Sequence, residues 1–465
     1  MLILFALLSL IINSLIFSYT RKRYREYILI AFIELLFLIQ ALFLFAYLCA
    51  GGETVIGSTQ VNVDVADHPQ RAFLALTVVP IISLIAVKAF AYGFRVTGYH
   101  RRLHERVHAS ATVSLLLALS AVSPIFYHVG LWMQDVWAAI PGVGLISHLL
   151  MFMHIGLSLG PAMVGYYHKT KRGYSYLFLA AYSVSALFGL QGGSRTTLFY
   201  PILYFAIGFA MALDKRGQRY AVVAFAVGGP LALVASGLLG VYRYEVRSRV
   251  DSNPIDQAVS MINIIGANVR SVTILESLRG GFDRVVVWSS LAVVSSTPEE
   301  IGYRGFANLA TEIRLVNQGS RGLEGQAITD RFAAEKIGYG AALDYGFNAS
   351  YGWTVPFPLV AEAWSRGGPA VVAMYATVWC LVVIVLEVFA RKLFRIWPEL
   401  VMFVIVIEGS IVFTKGNEYG LVYQLRGLTN TTVFWFALLY VIERLNLAAR
   451  QGFNWSSIRG SRKST

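Results

Sequence analysis

The side chains best suited to chemistry form a short run between two apolar stretches, Gly192-Gly193-Ser194-Arg195. The two glycines permit a sharp backbone turn, and Ser194 can cap a helix that starts with the next residues. A helix start carries unpaired N–H groups and a positive dipole end, to which Arg195 adds a full charge. The run therefore predicts a site for a phosphate or pyrophosphate or, equally, a basic turn that anchors a hairpin to lipid headgroups.

Two further basic clusters lie where apolar stretches end. The first consists of Arg243, Arg247 and Arg249, and the second consists of Lys415, Glu418 and Arg426. Arginine binds phosphate oxygens through two parallel hydrogen bonds, although basic residues at a membrane surface are also ordinary lipid contacts. We expect these clusters to converge with Arg195 on one polyanion.

Three carboxylates in or beside apolar stretches are candidates for acid–base chemistry: Glu362, Glu408 and Glu34. An ionisable group at membrane depth is costly and is therefore a functional candidate. Glu362 follows Pro356 and Pro358, which predict a re-entrant or interfacial turn, and its carboxylate is suited to act as a general base. The alternative for Glu362 is a salt bridge to Arg366, one helical turn further on.

The elements that must position these residues are apolar stretches of about 17 to 25 residues, long enough to cross a hydrocarbon core of ~30 Å. With 56% hydrophobic and 14% charged residues, the chain is too apolar for a soluble domain. The stretches are continuous, whereas the strands of a membrane barrel alternate. The sequence therefore predicts an all-α polytopic membrane protein with about eleven transmembrane helices.

The predicted spans divide the chain into four parts. Residues 1–242 hold spans one to eight, 243–354 form a long polar loop, 355–442 hold the re-entrant segment and spans nine to eleven, and 443–465 form a basic tail. The best-bounded spans lie at about 27–50, 72–94, 109–133, 144–167, 368–390, 397–413 and 428–442. The first span begins at Met1 and ends at a basic cluster, the reverse of a cleavable signal peptide, so we expect it to stay in the membrane.

The net charge of +13 is distributed unevenly along the chain. Lys and Arg dominate alternate short loops, whereas basic and acidic residues nearly balance in the long loop. This positive-inside pattern places the basic loops and the C-terminus in the cytoplasm, and the long loop and the N-terminus outside. The high net charge thus needs no nucleic-acid partner. Cys49 and Cys380 fall inside predicted spans, and we expect no disulfide framework, no cofactor and no metal site.

The long loop itself is predicted to be helical. Helix starts are expected at Asn253-Pro254, at Thr297-Pro298 and at Thr329-Asp330, because a capping residue or proline precedes apolar residues at helical spacing. An amphipathic helix needs an apolar surface to cover. We therefore expect the loop to pack on the outer ends of the spans and to roof a cavity.

Four features together resemble the oligosaccharide repeat-unit polymerases, the O-antigen polymerase group. They are Gly193-Ser194-Arg195 at a tight outer turn, the long loop after span eight, the entry to span nine from Pro356 through Glu362 to Gly367-Gly368, and Arg426-Gly427 before the last span. The family's Glu-aromatic-X-X-aromatic-Gly run appears here as Glu362-Ala363-Trp364-Ser365-Arg366-Gly367. This departure leaves the roles of Trp364 and Arg366 open.

The resemblance implies a glycosyltransferase of GT-C-like architecture in a bacterial inner membrane. Such enzymes transfer a growing glycan from undecaprenyl pyrophosphate to the non-reducing end of the next lipid-linked unit at the periplasmic face. It implies a lipid-linked oligosaccharide substrate, and a chain-length regulator and a flippase as pathway partners. Pyrophosphate binding would fall to Arg195, Arg243, Arg247, Lys415 and Arg426, with Arg195 and Arg243 also catalytic, Glu362 orienting the acceptor hydroxyl, and Ser194, Glu408 and Glu418 as further candidates.

Three alternatives stay open. An O-antigen ligase shares the architecture and the donor. The resemblance to that family implies an important histidine in the large outer loop, and residues 243–354 contain no histidine, which favours the polymerase. A lipid or glycan transporter would need an intramembrane charge relay, for which the sequence offers only Glu34 and Glu408 as candidates. A structural partner in polysaccharide export would tolerate the loss of every outer arginine.

Overall fold

The computed structural model of the chain describes residues 1–24, 27–52, 54–57, 62–93, 111–137, 140, 142–144, 146–147, 150, 160–191, 195–213, 217, 228, 291, 294–295, 303, 305–306, 359–393, 433, 437–438, 440–441 and 444–445. This part of the chain is helical apart from one short hairpin. Its helices are α1 (Leu2–Arg23), α2 (Ile28–Cys49), α3 (Pro69–Gly93), α4 (Ala111–Trp137), α5 (Gly160–Tyr166), α6 (Arg172–Gln191), α7 (Arg195–Met211) and α8 (Leu359–Leu393).

Four of the described helices are long and apolar enough to cross a membrane: Leu2–Arg23, Leu29–Cys49, Pro69–Tyr92 and Ala363–Phe389. They coincide with predicted spans one, two, three and nine. The prediction of a mostly helical chain with candidate membrane-spanning helices is therefore confirmed for the described residues. Spans four, six and seven also correspond to helices, α4, α6 and α7. Predicted span ten lies outside the described residues and span eight is described only at Gly228, so the total of eleven stays a prediction.

The chain forms two compact units. The first comprises Met1–Arg101 and Phe282–Thr432, and the second comprises Arg102–Gly281 and Val433–Thr465. In the first unit α1 packs on α2 and α3, and α8 packs on α3 and α2. In the second unit α5 packs on α7 and α4, and α6 packs on α4 and α7.

A stripe of small and polar side chains directs the packing of α1. Its buried residues recur at alternating steps of four and three: Leu2, Ala6, Ser9, Asn13, Ile16 and Thr20. This is the a/d spacing of a helix that keeps one narrow seam against its neighbours. Small and hydroxyl-bearing residues suit such a seam in a membrane, because they allow close approach and hydrogen bonding between helices.

A proline in α3 explains one of the hydrogen bonds that cross this seam. Pro80 has no N–H, so the carbonyl of Leu76, four residues earlier, loses its partner within the helix. Asn13 of α1 supplies the missing donor, its Nδ2 lying 3.2 Å from Leu76 O. The same Nδ2 also donates to Ser9 O at 2.8 Å. The carbonyl that Pro80 leaves unpaired in α3 is therefore matched by a specific side chain in α1.

The connection between α2 and α3 departs from the all-helical prediction. Strands β1 (Val55–Gly57) and β2 (Asn62–Asp64) form an antiparallel pair in which Val55 lies opposite Asp64. Asp64 then caps a single turn of 3-10 helix, Val65–Asp67, by accepting a 2.8 Å hydrogen bond from the N–H of Ala66. We call this side of the first unit the loop end, and the opposite side, where α1 finishes in Arg21, Lys22 and Arg23, the basic end.

Helix α8 is two helices joined at a break. Gly367 and Gly368 have non-helical backbone angles, and Pro369 follows as the first residue of the second part. Gly368 has φ of +68°, a conformation that favours glycine, and proline is well placed to start a helix because its missing N–H would have no helical partner there. The predicted start of span nine at Gly368 coincides with this break.

Glycines hold the helices of the second unit close together. A Cβ added to Gly208 of α7 would overlap the backbone of Ala162 in α5, and one added to Gly165 of α5 would overlap the backbone of Phe205 in α7. A Cβ added to Gly160 would lie 2.6 Å from Cβ of Ser120 in α4. The ring of Phe205 stacks on the buried ring of Phe178 in α6, with centroids 4.9 Å apart. Backbone-to-backbone contact of this kind is typical of membrane helices.

Candidate functional site

The short first part of α8 carries Glu362, the predicted acceptor-orienting residue. Its backbone is helical, and its side chain lies outside the described part of the chain. The residues around it are almost completely buried: Leu359, Val360, Ala361, Ala363, Trp364, Ser365 and Arg366. The segment is therefore an enclosed helix of about two turns before the break, rather than a solvated linker. Pro356 and Pro358, which predicted a re-entrant turn, precede the described residues.

Arg366 joins this segment to the long polar loop. Its Nη1 donates to Gly305 O at 3.0 Å, and the N–H of Gly305 donates to Arg366 O at 3.0 Å. The carbonyl of Arg366 is one of those left without a helical partner at the end of the short helix, so the loop satisfies it. The guanidinium also lies over the ring of Phe306, 5.7 Å from its centroid. Arg366, whose role the sequence left open, is thus a docking residue for the loop.

Two further contacts fix the loop at the same end of the first unit. Tyr303 places its hydroxyl against Gly368, where an added Cβ would lie 2.8 Å from that oxygen. Arg71, near the start of α3, donates from Nη1 to Ser295 O at 3.2 Å, and the neighbouring loop residues Leu291 and Val294 are fully buried. The described part of the loop therefore packs on the ends of α3 and α8.

The described structure gives α7 the start that the glycine-rich turn predicts. Helix α6 ends at Gln191 and α7 begins at Arg195, so only three residues connect them. Arg195 is the first residue of α7, where helix N–H groups lack helical partners. Its side chain, and the residues Gly192 to Ser194, lie outside the described part.

The other predicted pyrophosphate ligands also lie outside the described residues. They are Arg243, Arg247, Lys415 and Arg426, together with the further candidates Glu408 and Glu418. Their convergence on one polyanion stays a prediction.

Glu34 is described in full and is completely buried in α2. Its Oε1 hydrogen-bonds Thr20 Oγ1 of α1 at 2.9 Å and Ser83 Oγ of α3 at 3.0 Å. Its Oε2 has no hydrogen-bond partner among the described atoms. The sequence singled out Glu34 as an intramembrane carboxylate, but not the two hydroxyls that hold it. Thr20 belongs to the stripe of α1, and the heptad spacing of that stripe is the sequence feature that could have identified it.

A second buried carboxylate, Glu387 of α8, was missing from the sequence prediction, which named only Glu34 and Glu408 for a charge relay. Its Oε2 accepts a 3.3 Å hydrogen bond from the N–H of Leu29, in the first turn of α2. The residue that precedes this helix, Tyr27, gives no side-chain cap, so Glu387 accepts from one of the N–H groups that a helix start leaves without a helical partner. Its position inside predicted span nine could have identified Glu387 as an intramembrane carboxylate from the sequence.

The described residues contain no group of three or more His, Cys, Asp or Glu side chains arranged to hold a metal ion. Both cysteines are free: Cys380 is buried in α8, and Cys49 is exposed at the end of α2. No family model, no curated protein and no solved structure matches the chain.

Proposed function

We propose that the protein is a membrane-embedded glycosyltransferase that polymerises lipid-linked oligosaccharide repeat units. It would move a growing glycan from a polyprenyl pyrophosphate, undecaprenyl pyrophosphate in a bacterial inner membrane, to the non-reducing end of the next unit. The observation that carries the proposal is the enclosed helix that bears Glu362, broken from its span at Gly367-Gly368 and bound to the long loop through Arg366. Broken helices at membrane depth occur where the backbone lines a protein-enclosed site.

The chemistry requires two groups that this chain offers. Cleavage between sugar C1 and the pyrophosphate leaves a multiply charged leaving group, which positive groups held in place can stabilise as its charge develops. Arg195 is the first residue of α7, and its side chain would act for that purpose together with the unpaired N–H groups of the helix start. Glu362 would accept the proton of the attacking hydroxyl, and Arg243, Arg247, Lys415 and Arg426 would complete the pyrophosphate site. The eleven spans and the GT-C-like architecture belong to this proposal.

The test uses the purified full chain in liposomes with a pyrophosphate-linked oligosaccharide as sole substrate, without nucleotide sugar or divalent metal. A glycan ladder of regular spacing on a gel is the expected result. A single product that forms only when a lipid A core is added would mean a ligase. Substrate that crosses the bilayer unchanged would mean a transporter.

A matched pair of arginine variants makes the test specific. Arg195→Lys keeps the charge but loses bidentate binding, so we expect shorter ladders and a lower yield. Arg172→Lys is its control, because Arg172 is also the first residue of a helix and is exposed. Glu362→Gln should abolish the ladder while the protein stays folded. Full activity in both Arg195→Lys and Arg426→Lys would contradict pyrophosphate binding at these positions.

A further inference from the structure

The buried carboxylate of Glu34 lies where three helices of the first unit meet. Thr20 reaches it from α1 and Ser83 from α3, and both hydroxyls contact the same oxygen, Oε1. Glu34 and Ser83 are fully enclosed, and so is Thr20. A polar cluster of this kind inside predicted spans has no place in the glycosyl-transfer chemistry proposed above.

The contacts of Ser83 require more hydrogens than its hydroxyl carries. Ser83 Oγ lies 2.7 Å from Pro80 O and 3.0 Å from Glu34 Oε1. A serine hydroxyl has one hydrogen, and the shorter contact, to an oxygen that can only accept, takes it. The contact between Ser83 Oγ and Oε1 then lacks a hydrogen of its own when Glu34 is ionised, and a protonated Glu34 supplies one. Thr20 donates to the same Oε1.

No opposite charge faces Glu34 among the described residues. On α1 the basic residues Arg21, Lys22 and Arg23 are exposed at the basic end, and Lys88 of α3 is exposed. Arg71 and Arg366 are bound at the loop end. On α8 the other buried titratable groups are Tyr375, the thiol of Cys380, which lies within electrostatic range of Glu34, and Glu387, and none of them carries a positive charge. A carboxylate anion here would keep Oε2 bare in an apolar interior, which costs far more than a neutral acid.

We propose that Glu34 is a proton-binding site inside the membrane, its proton bound to Oε1 and donated to Ser83 Oγ. The hydrogen bonds then form a chain in which Thr20 donates to Oε1, Oε1 donates to Ser83 Oγ and Ser83 donates to Pro80 O. Loss of the proton leaves a negative charge among α1, α2 and α3, and the Ser83 hydroxyl must then turn from Pro80 O to donate to Oε1. Proton binding therefore couples to the packing of these three helices, independently of any glycan chemistry.

The experiment labels the full-length protein in lipid nanodiscs with N,N′-dicyclohexylcarbodiimide. A protonated carboxyl adds across one C=N bond, its oxygen bonding to carbon and its proton moving to nitrogen, and the adduct rearranges to a stable N-acylurea where water is excluded. Peptide mass spectrometry then locates the adduct. We expect the label on Glu34, with a rate that falls about tenfold per pH unit once the carboxyl ionises.

Two variants, and a test of whether sodium ions protect the site from labelling, make the experiment more specific. Glu34→Gln should lose the label and lower thermal stability only slightly, because the amide nitrogen donates to Ser83 Oγ as the acid does but cannot accept from Thr20. Glu387→Gln is the matched control, a second buried carboxyl in the same unit, and should keep the label on Glu34. If Glu34→Gln fails to fold, the pH series on the unaltered protein still decides. Absence of label at any pH, a pH-independent rate, or protection by sodium at fixed pH would overturn the proton site.

Discussion

The first unit joins its helices through polar side chains, whereas the second brings backbone against backbone at glycines. In the first, Asn13, Glu34 and Arg366 each bridge separate segments by hydrogen bonds. In the second, Gly165 and Gly208 bring α5 and α7 into direct contact. Helices in hydrocarbon gain no hydrophobic free energy from associating, so hydrogen bonds and close packing are the two remaining sources of affinity. The first unit should therefore be sensitive to a lost polar atom, and the second to an added carbon.

The largest effect is expected from Gly208→Ala. The added Cβ overlaps the backbone of Ala162, which cannot move as a side-chain end can, so α5 and α7 must separate. We expect the free energy of unfolding to fall by about 3 kcal/mol, as for overpacked cores. Reversible unfolding of the purified protein in mixed micelles measures this change.

The same substitution at Gly173 is the control. Gly173 lies in the first turn of α6 with open space around it, so an added methyl meets nothing. Alanine there should be neutral or stabilise the helix by about 0.5 to 1 kcal/mol. Equal losses in the two variants would mean that close backbone approach is not what joins α5 to α7.

An intermediate effect is expected from Arg366→Met, which removes the donor to Gly305 O and keeps most of the apolar length of the side chain. A hydrogen bond from a charged group contributes about 2 kcal/mol, and its loss should release the loop turn. Faster hydrogen exchange at the amide of Gly305 would report the release directly, since that N–H donates to Arg366 O. Arg444→Met removes an exposed arginine that contacts only Tyr440 among the contacts described here, and it should change neither quantity.

The smallest effect is expected from Asn13→Leu, about 1 kcal/mol, the usual scale for a hydrogen bond between membrane helices. It depends on Pro80, because alanine at that position restores the N–H that Leu76 O lacks. In the Pro80→Ala background, Asn13→Leu should therefore cost almost nothing. A double-mutant cycle measures the coupling. Additive losses would show that Asn13 acts on something other than the freed carbonyl.

The helices and their ends could be predicted from the sequence alone. Apolar length predicted α1, α2, α3 and the second part of α8, because crossing a hydrocarbon core imposes a minimum number of residues. Gly368 and Pro369 marked the break in α8, since each has a strong backbone preference. The tight turn before Arg195 could be placed for the same reason.

Contacts between residues far apart in the sequence could not be predicted from apolar length or backbone preference. Spacing shows that Asn13 and Thr20 lie on one face of α1, but not that the face meets Leu76 O and Glu34. Gly165 and Gly208 are ordinary glycines until α5 and α7 are placed together. The sequence offered Arg366 a salt bridge to Glu362, which stays a prediction, but it gave no sign of the contact with a carbonyl 61 residues away. Local preferences fix elements, while the choice of partner depends on the packed arrangement.

The hydrogen bond between Glu387 and the start of α2 has a consequence for biosynthesis. Its two residues are separated by 358 positions, so α2 is made long before the side chain that caps it. At about 5 to 20 residues per second, this interval lasts roughly 20 to 70 s. During that time the first helices wait in the bilayer with the amide of Leu29 lacking this carboxylate. Completion of the first unit is therefore tied to the late insertion of α8, and a chain that stalls before Glu387 leaves the translocon with that helix start uncapped.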